Sequence, residues 1–396
     1  MKTKRTLLVI LAVTLAAILI FGGILFALSA ARRSRAVASY KTIYIERGAY
    51  SYFASYYKGL YLTSLRTAGI SASDTPVFWN LTDEEGVSYG TRLSEGFADY
   101  MRRTLVAAAL FDSAGTLTDT EKKRLTAAAE EMLDYRANGD KKAFNEMTAK
   151  YGFTYDDYVD SITILYKAGN AMRAIYGENG EKLKNTADAK LYLETEYRHV
   201  FLLALRTEDK FLLDENGNRV TEGGQDVTVN FTEEEKRERA ALIARIAKSI
   251  DNFEHDEDGE EGRMNAGMFM NLIESYDDGE GRDLPDGYYF SEGSAFTKEF
   301  ASVYPTLVAR ALALETGHYG TCEEGGIRFF FAATAPTASA DTLSGNARFF
   351  TDFYTRIADA SFEKTLALFL PDVTLSEVAL SFDILSLPYN SEFVFR

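Results

Sequence analysis

Between Thr6 and Ala31 the chain carries no charged residue, and the stretch from Leu7 to Ala31 is almost continuously apolar. A helix crossing a hydrocarbon core of about 30 Å needs roughly 20 such residues, so this run is read as a membrane-spanning helix. Lys2, Lys4 and Arg5 precede it, and Arg32, Arg33 and Arg35 follow. The alternative is a cleaved secretory signal, with small-residue sites after Ser29 or Ala31. Length argues against it, because signal cores run to about 7–15 residues, and so do the basic residues just past either site. Orientation follows from comparing the two flanks. Counting the free amine, the N-terminal flank is slightly ahead, which places the amino end in the cytoplasm and the bulk outside the cell membrane. No cysteine closes the run, so a lipoprotein anchor is excluded.

Beyond the anchor about 360 residues remain, room for two or three domains. The chain as a whole is 46% hydrophobic with 24 Tyr and 27 Phe, all but two of these aromatics beyond the anchor, so the body can bury substantial cores. The chain holds 59 acidic against 43 basic residues, net −16, and six of the basic ones are those flanking the anchor. An acidic body argues against nucleic acid and against adhesion to anionic lipid. The single Cys322 rules out an intramolecular disulfide framework.

Residues 47–197 read as helical. Phe53, Tyr56, Leu60 and Tyr61 recur at helical spacing, as do Phe97, Met101, Leu105 and Ala108. Thr118 with Glu121 and Thr154 with Asp157 open helices as capping boxes, and Asn138-Gly139, Gly152 and Gly177 close them. A loop over 68–92 carries the only tryptophan, Trp79. The texture changes near Tyr197. Strand-length apolar runs stand at Val200–Leu205 and Ile327–Ala333, with a hairpin signal in Phe211–Val220. Between them lie a helix opened by Thr232 and Glu235, a short helix near Met268–Ser275, and one helix over Phe296–Ala313. Past Pro336 the chain returns to helix over Leu343–Leu370 and ends in an apolar tail, 375–395.

Catalytic and metal signatures are sparse. Glu254–Asn265 fails as a calcium loop at both ends, since an EF-hand needs Asp first and Glu last. His199, His255 and His318 have no zinc spacing, and neither Gly-x-Ser-x-Gly nor a Gly-rich phosphate motif is present. No metal or cofactor is expected. His199 begins a strand on the face shared with Phe201 and Leu203, where a lone histidine is more often structural than catalytic.

The segment Tyr197-Arg198-His199-Val200-Phe201-Leu202-Leu203 resembles the first strand of a parvulin-type peptidyl-prolyl isomerase. Pro285-Asp286-Gly287-Tyr288-Tyr289-Phe290-Ser291-Glu292-Gly293 is similar to the glycine-rich segment before that domain's proline-pocket helix. Phe296 and Phe300 fall where the family floors its pocket, and Gly325-Gly326-Ile327-Arg328-Phe329-Phe330 resembles its last strand. Tyr276-Asp277-Asp278 resembles the segment that brings an acid into the site, and Glu315-Thr316-Gly317 resembles the family's Gly-Glu turn, shifted slightly. The helical segments before and after resemble the chaperone part of SurA/PrsA-type extracytoplasmic foldases.

The resemblance implies an α+β chain: an anchor (1–36), a mostly helical chaperone-like domain (37–194 plus 340–396), and an inserted parvulin-like domain (195–339) with a small antiparallel sheet. It implies His199, Asp278 and Arg328 as the polar catalytic group and Phe290, Phe296 and Phe300 as the substrate-binding group. Arg328 stands where the family has a second histidine, and arginine is always charged and accepts no hydrogen bond. Isomerisation crosses a barrier of about 18–20 kcal/mol and needs only an apolar pocket that grips the ring and desolvates the amide. The implied partners are unfolded exported polypeptides and the membrane, with no nucleic acid. A non-catalytic chaperone or scaffold of the same architecture is the alternative, and a receptor-like ectodomain for a small ligand ranks last.

Overall fold

The computed structural model describes residues 33–254, 266–278, 287–335 and 347–395. The expected membrane helix, the acidic loop after Glu254 and Pro285-Asp286 lie outside them. Among the described residues no helix is long and apolar enough to cross a membrane. The fold is mostly helical α+β with small antiparallel sheets, in two compact units: residues 1–178 with 359–396, and residues 179–358.

In the first unit, strands β1 (Ala38–Tyr40) and β2 (Ile43–Ile45) precede helices α1 (Arg47–Thr67), α2 (Tyr89–Ala114), α3 (Asp119–Ala137), α4 (Lys141–Thr148) and α5 (Tyr155–Tyr176). Short-range chemistry sets the helix ends. Thr118 and Glu121 cap α3 reciprocally, as Thr154 and Asp157 cap α5. Asn138 turns left-handed at φ 51° to end α3, and Gly152 at φ 76° follows α4. Tyr50, Tyr52 and Phe53 of α1, Leu93, Phe97, Met101 and Leu105 of α2, and Tyr158 and Ile162 of α5 form the core. The loop expected over 68–92 contains a short helix, Pro76–Trp79, capped by Thr75, and it buries Trp79.

The apolar tail packs into this core. Phe393 meets the rings of Phe144, Tyr151 and Phe153 at 5.1, 6.0 and 6.0 Å. Thr374–Leu375 pairs antiparallel with β1 to make a three-stranded sheet with β2. The sequence reading missed this sheet, because its strands are two or three residues long and one partner comes from the far end of the chain.

The second unit is built on a four-stranded antiparallel sheet. In chain order it has β3 (Arg198–Arg206), α6 (Glu233–Glu254), α7 (Ala266–Tyr276), β4 (Tyr288–Phe290), α8 (Ala295–Val303), α9 (Pro305–Ala313), β5 (Tyr319–Glu324), β6 (Ile327–Thr334) and, up to Ala358, the helix α10 (Ala347–Phe369). The order across the sheet is β4-β3-β6-β5. Between β3 and α6 runs a ribbon whose turn is tied by Asp214, which accepts from the Asn216 and Asn218 amides at 2.9 and 2.8 Å. Residues 296–313, read as one helix, are two. Pro305 takes the first position of α9, where its missing N–H costs nothing.

Successive strand residues face opposite ways, so the sheet separates two cores. Val200, Leu202 and Ala204 join Phe329, Phe331 and the helices α8 and α9. Leu203 and Leu205 join Phe330, Ala332 and the helices α6 and α7.

Candidate functional site

The second unit brings the polar and the aromatic candidates to different faces of one sheet. His199 pairs with Tyr289 of β4 and with Thr334 of β6. Its imidazole is buried, with Nδ1 2.8 Å from the Thr334 hydroxyl and the ring stacked on Tyr289 at 4.3 Å. Gly287 roofs it: a Cβ there would stand 2.6 Å from Nε2, and the backbone is left-handed at φ +79°. His199 is thus packed among Thr334, Tyr289, Phe201 and Gly287.

Asp277 and Asp278 complete the edge of β3 beyond the short β4. The Ala204 amide donates to Asp277 Oδ1 at 2.7 Å, and the Arg206 amide donates to Asp278 Oδ2 at 2.7 Å. The Asp278 amide donates to the Ala204 carbonyl at 2.9 Å. These carboxylates satisfy strand donors that would otherwise lack a partner. Asp278 also pairs with Arg239 of α6, whose Nε donates to the Arg206 carbonyl at 2.8 Å.

Arg328 does not reach Asp278. Its guanidinium holds Glu323, directly opposite on β5, at 2.6 Å. The register also separates Arg328 from His199. Arg328 sits opposite Leu205 and His199 opposite Thr334, six ladder positions apart, or about 20 Å at ~3.4 Å per residue. His199 and Arg328, which the resemblance implies as members of one polar group, therefore stand at opposite ends of the β3–β6 ladder.

The aromatic candidates do converge. Phe290 is fully buried, while Phe296 and Phe300 are half-buried against it. Phe300 lies 5.1 Å from Tyr288, 5.4 Å from Phe290, 6.2 Å from Phe296 and 5.4 Å from Tyr304. Tyr304 continues the cluster to Phe329 at 5.0 Å. Phe296, Phe300, Val303 and Tyr304 follow i, i+4, i+7, i+8 spacing, one stripe along α8 and its end. Val303 is 62% exposed, so the stripe reaches solvent.

A tight turn aims this stripe. Ser294 caps α8 by accepting from the Thr297 amide at 3.0 Å, and the Ser291 amide donates to the Thr297 hydroxyl at 3.0 Å. Arg356 of α10 buttresses the same turn, donating to Ser291 Oγ at 3.0 Å, the Glu292 carbonyl at 2.8 Å and the Tyr197 hydroxyl at 2.7 Å. Sequence reasoning missed Arg356, since only a long-range fold joins it to 291. Burial pushes the Tyr197 hydroxyl well above its usual pKa even beside this cation.

Glu324 positions the next helix. Its carboxylate accepts from the Thr306 and Leu307 amides at 3.1 Å, at the start of α9. Burial raises its pKa, and the donated bonds outweigh this and hold it below 4.5. A depressed carboxyl adds stability above its unfolded pKa, lost as pH falls through the folded value. Glu324→Gln is expected to cost about 1 kcal/mol near neutral pH, the worth of a helix cap. The difference from wild type should shrink as pH falls through the folded value, read from urea melts at neutral and at acid pH. Burial, with Glu324 nearby, pushes the Cys322 thiol up, so it is not an activated nucleophile. Among the described residues no group of His, Cys, Asp and Glu could hold a metal.

No protein-family model matches the chain, and no curated protein does. Among solved structures, PrsA from Bacillus subtilis is 13% identical, with a TM-score of 0.20, covering 74% of this chain and 89% of that one. Foldase protein PrsA from Streptococcus pneumoniae is 13% identical, with a TM-score of 0.21, covering 78% and 99%. The foldase protein PrsA from Lactococcus lactis is 14% identical, with a TM-score of 0.18, covering 73% and 89%. The chain is therefore similar to solved PrsA foldases at the level of a loose superposition, and its function has to be read from its own residues.

Proposed function

We propose that this protein is a foldase-type chaperone that binds unfolded polypeptide through the aromatic stripe of α8. The observation that carries the reading is the half-exposed row Phe296, Phe300, Val303 and Tyr304 on a base of buried Tyr288, Phe290 and Phe329. Rigid aromatic rings offer large contact area at low conformational cost, which suits a site that must accept many sequences. The apolar run before Arg32 anchors the chain in the cell membrane, with the body on the extracytoplasmic side where exported chains emerge unfolded. The test is suppression of aggregation of a reduced, unfolded client. Wild type is expected to suppress it, and Phe296→Ser with Phe300→Ser to lose most of the effect. Undiminished suppression by that variant would remove the assignment.

Catalysis of Xaa-Pro isomerisation is the second reading, favoured by the position of Phe296 and Phe300 in a pocket helix of parvulin-like order. The polar groups the family resemblance implies lie elsewhere: His199 and Arg328 face α6 and α7, and Asp278 completes the β3 edge. Binding without strong rate enhancement is therefore the expected behaviour. In a protease-coupled assay on a proline tetrapeptide, Arg328→His should add no rate, since position 328 faces away from the stripe. A rate gained by that substitution would favour the enzyme.

A further inference from the structure

On the face of the sheet opposite the aromatic stripe, a cleft of ≈ 340 Å³ opens between α6 and the strands β5 and β6. Its wall is apolar: Phe330 from β6, and Ile243, Ala240, Ala244 and Ala247 from α6. Alanines at i, i+4 and i+7 lie on one helix face, and their small side chains leave the space open. Three cations line it as well, Lys236, Arg239 and Arg328, paired respectively with Glu233 at 3.1 Å, with Asp278, and with Glu323 at 2.6 Å. In a chain of net charge −16 such a grouping is no by-product of a basic composition.

The two arginines are not equivalent. Arg239 is fixed by Asp278 and by the Arg206 carbonyl. Arg328 spends Nη2 on Glu323, but its Nε is buried with no hydrogen-bond partner among the described residues. A buried donor without an acceptor is costly, and an anionic oxygen entering the cleft would supply one.

We propose that this cleft binds a carboxylate carried on an apolar group, the chemistry shared by the C-terminal apolar residue of a polypeptide and by a free apolar acid. The apolar part packs between Phe330 and the alanine face of α6. The carboxylate sits at the mouth, accepting from Arg328 Nε. This gives Arg328 a binding role independent of the aromatic stripe, so variants at Phe296 and Phe300 leave the cleft intact.

The experiment titrates the full-length protein, in a non-ionic detergent, with N-acetylphenylalanine and with its amide, followed by calorimetry. The acid is expected to bind at least tenfold more tightly than the amide. Arg328→Ala should weaken the acid at least tenfold, and Ala244→Phe, which fills the cleft and keeps every charge, should do the same. Circular dichroism matching wild type checks that both variants keep their helices. A pentapeptide ending in phenylalanine separates the sources. If its free-ended form binds as well as the single acid, the site takes polypeptide ends; if only the single acid binds, it takes small acids. No binding of the acid, equal binding of acid and amide, or acid binding unchanged in both variants would overturn the proposal.

Discussion

Replacing Lys58 by methionine is expected to destabilise the first unit by about 3–5 kcal/mol, the cost of leaving a buried ion pair without one partner. Lys58 is wholly buried in α1. Its ammonium has three donors, and three acceptors meet them: Asp74 Oδ1 at 2.6 Å and the carbonyls of Leu387 and Leu385 at 2.6 and 3.1 Å. The indole of Trp79 lies 5.3 Å away on another side. Asp74 in turn accepts from Trp79 Nε1 at 2.9 Å and from the Tyr389 amide at 3.2 Å. One charge pair thus ties α1, the 68–80 connection and the C-terminal tail together. Trp79 is the only tryptophan, so its fluorescence in a guanidinium melt reports this unit directly. A change below about 1 kcal/mol, the worth of an exposed pair, would mean that the network contributes little. Adding Asp74→Leu should recover only part of the loss, because the two carbonyls would still lack a donor.

The second large effect is expected at Gly180, in the second unit. Its backbone is left-handed at φ +74°, and a Cβ there would stand 2.2 Å from the Tyr354 carbonyl oxygen on α10. That neighbour is backbone, so no side chain can swing aside. Gly180→Ala carries both the left-handed cost, about 1–2 kcal/mol, and an overpacking cost of about 1–3 kcal/mol. The expected sum is about 2–5 kcal/mol, read as faster amide hydrogen exchange in β3 and β6. Gly224→Ala is the control, with a similar φ of +84° and nothing within 4 Å; it should show the conformational cost alone. Equal effects at the two positions would contradict close packing of 180 against α10.

Features that are local in sequence were legible before any coordinates. The capping boxes at Thr118 and Thr154 bond within four residues, so their chemistry is written in adjacent letters. The apolar strands β3 and β6 were legible from hydrophobic runs. Strand β5 was not: Tyr319-Gly320-Thr321-Cys322-Glu323-Glu324 has no such run, and it is a strand because β6 offers it a ladder. The sheet of β1 and β2 with residues 374–375 escaped for the same reason, since Ala38 meets Leu375 only after folding.

The candidate site divides along the same line. Helical spacing put Phe296 and Phe300 on one face from sequence alone. Whether His199 or Arg328 stands beside them depends on strand register and on which face each side chain takes. A shift of one residue reverses the face, and nothing local to either histidine or arginine sets it. Arg356, which holds the turn before α8, is invisible at sequence level because 65 residues separate it from Ser291.

The most direct measurement of the central claim is hydrogen exchange of the full-length protein with and without a saturating unfolded client. Binding through the aromatic stripe predicts that new protection concentrates on amides of residues 295–304 and the adjoining 288–290. Protection confined to the α6 and α7 face around His199 and Asp278, with 295–304 unchanged, would contradict it.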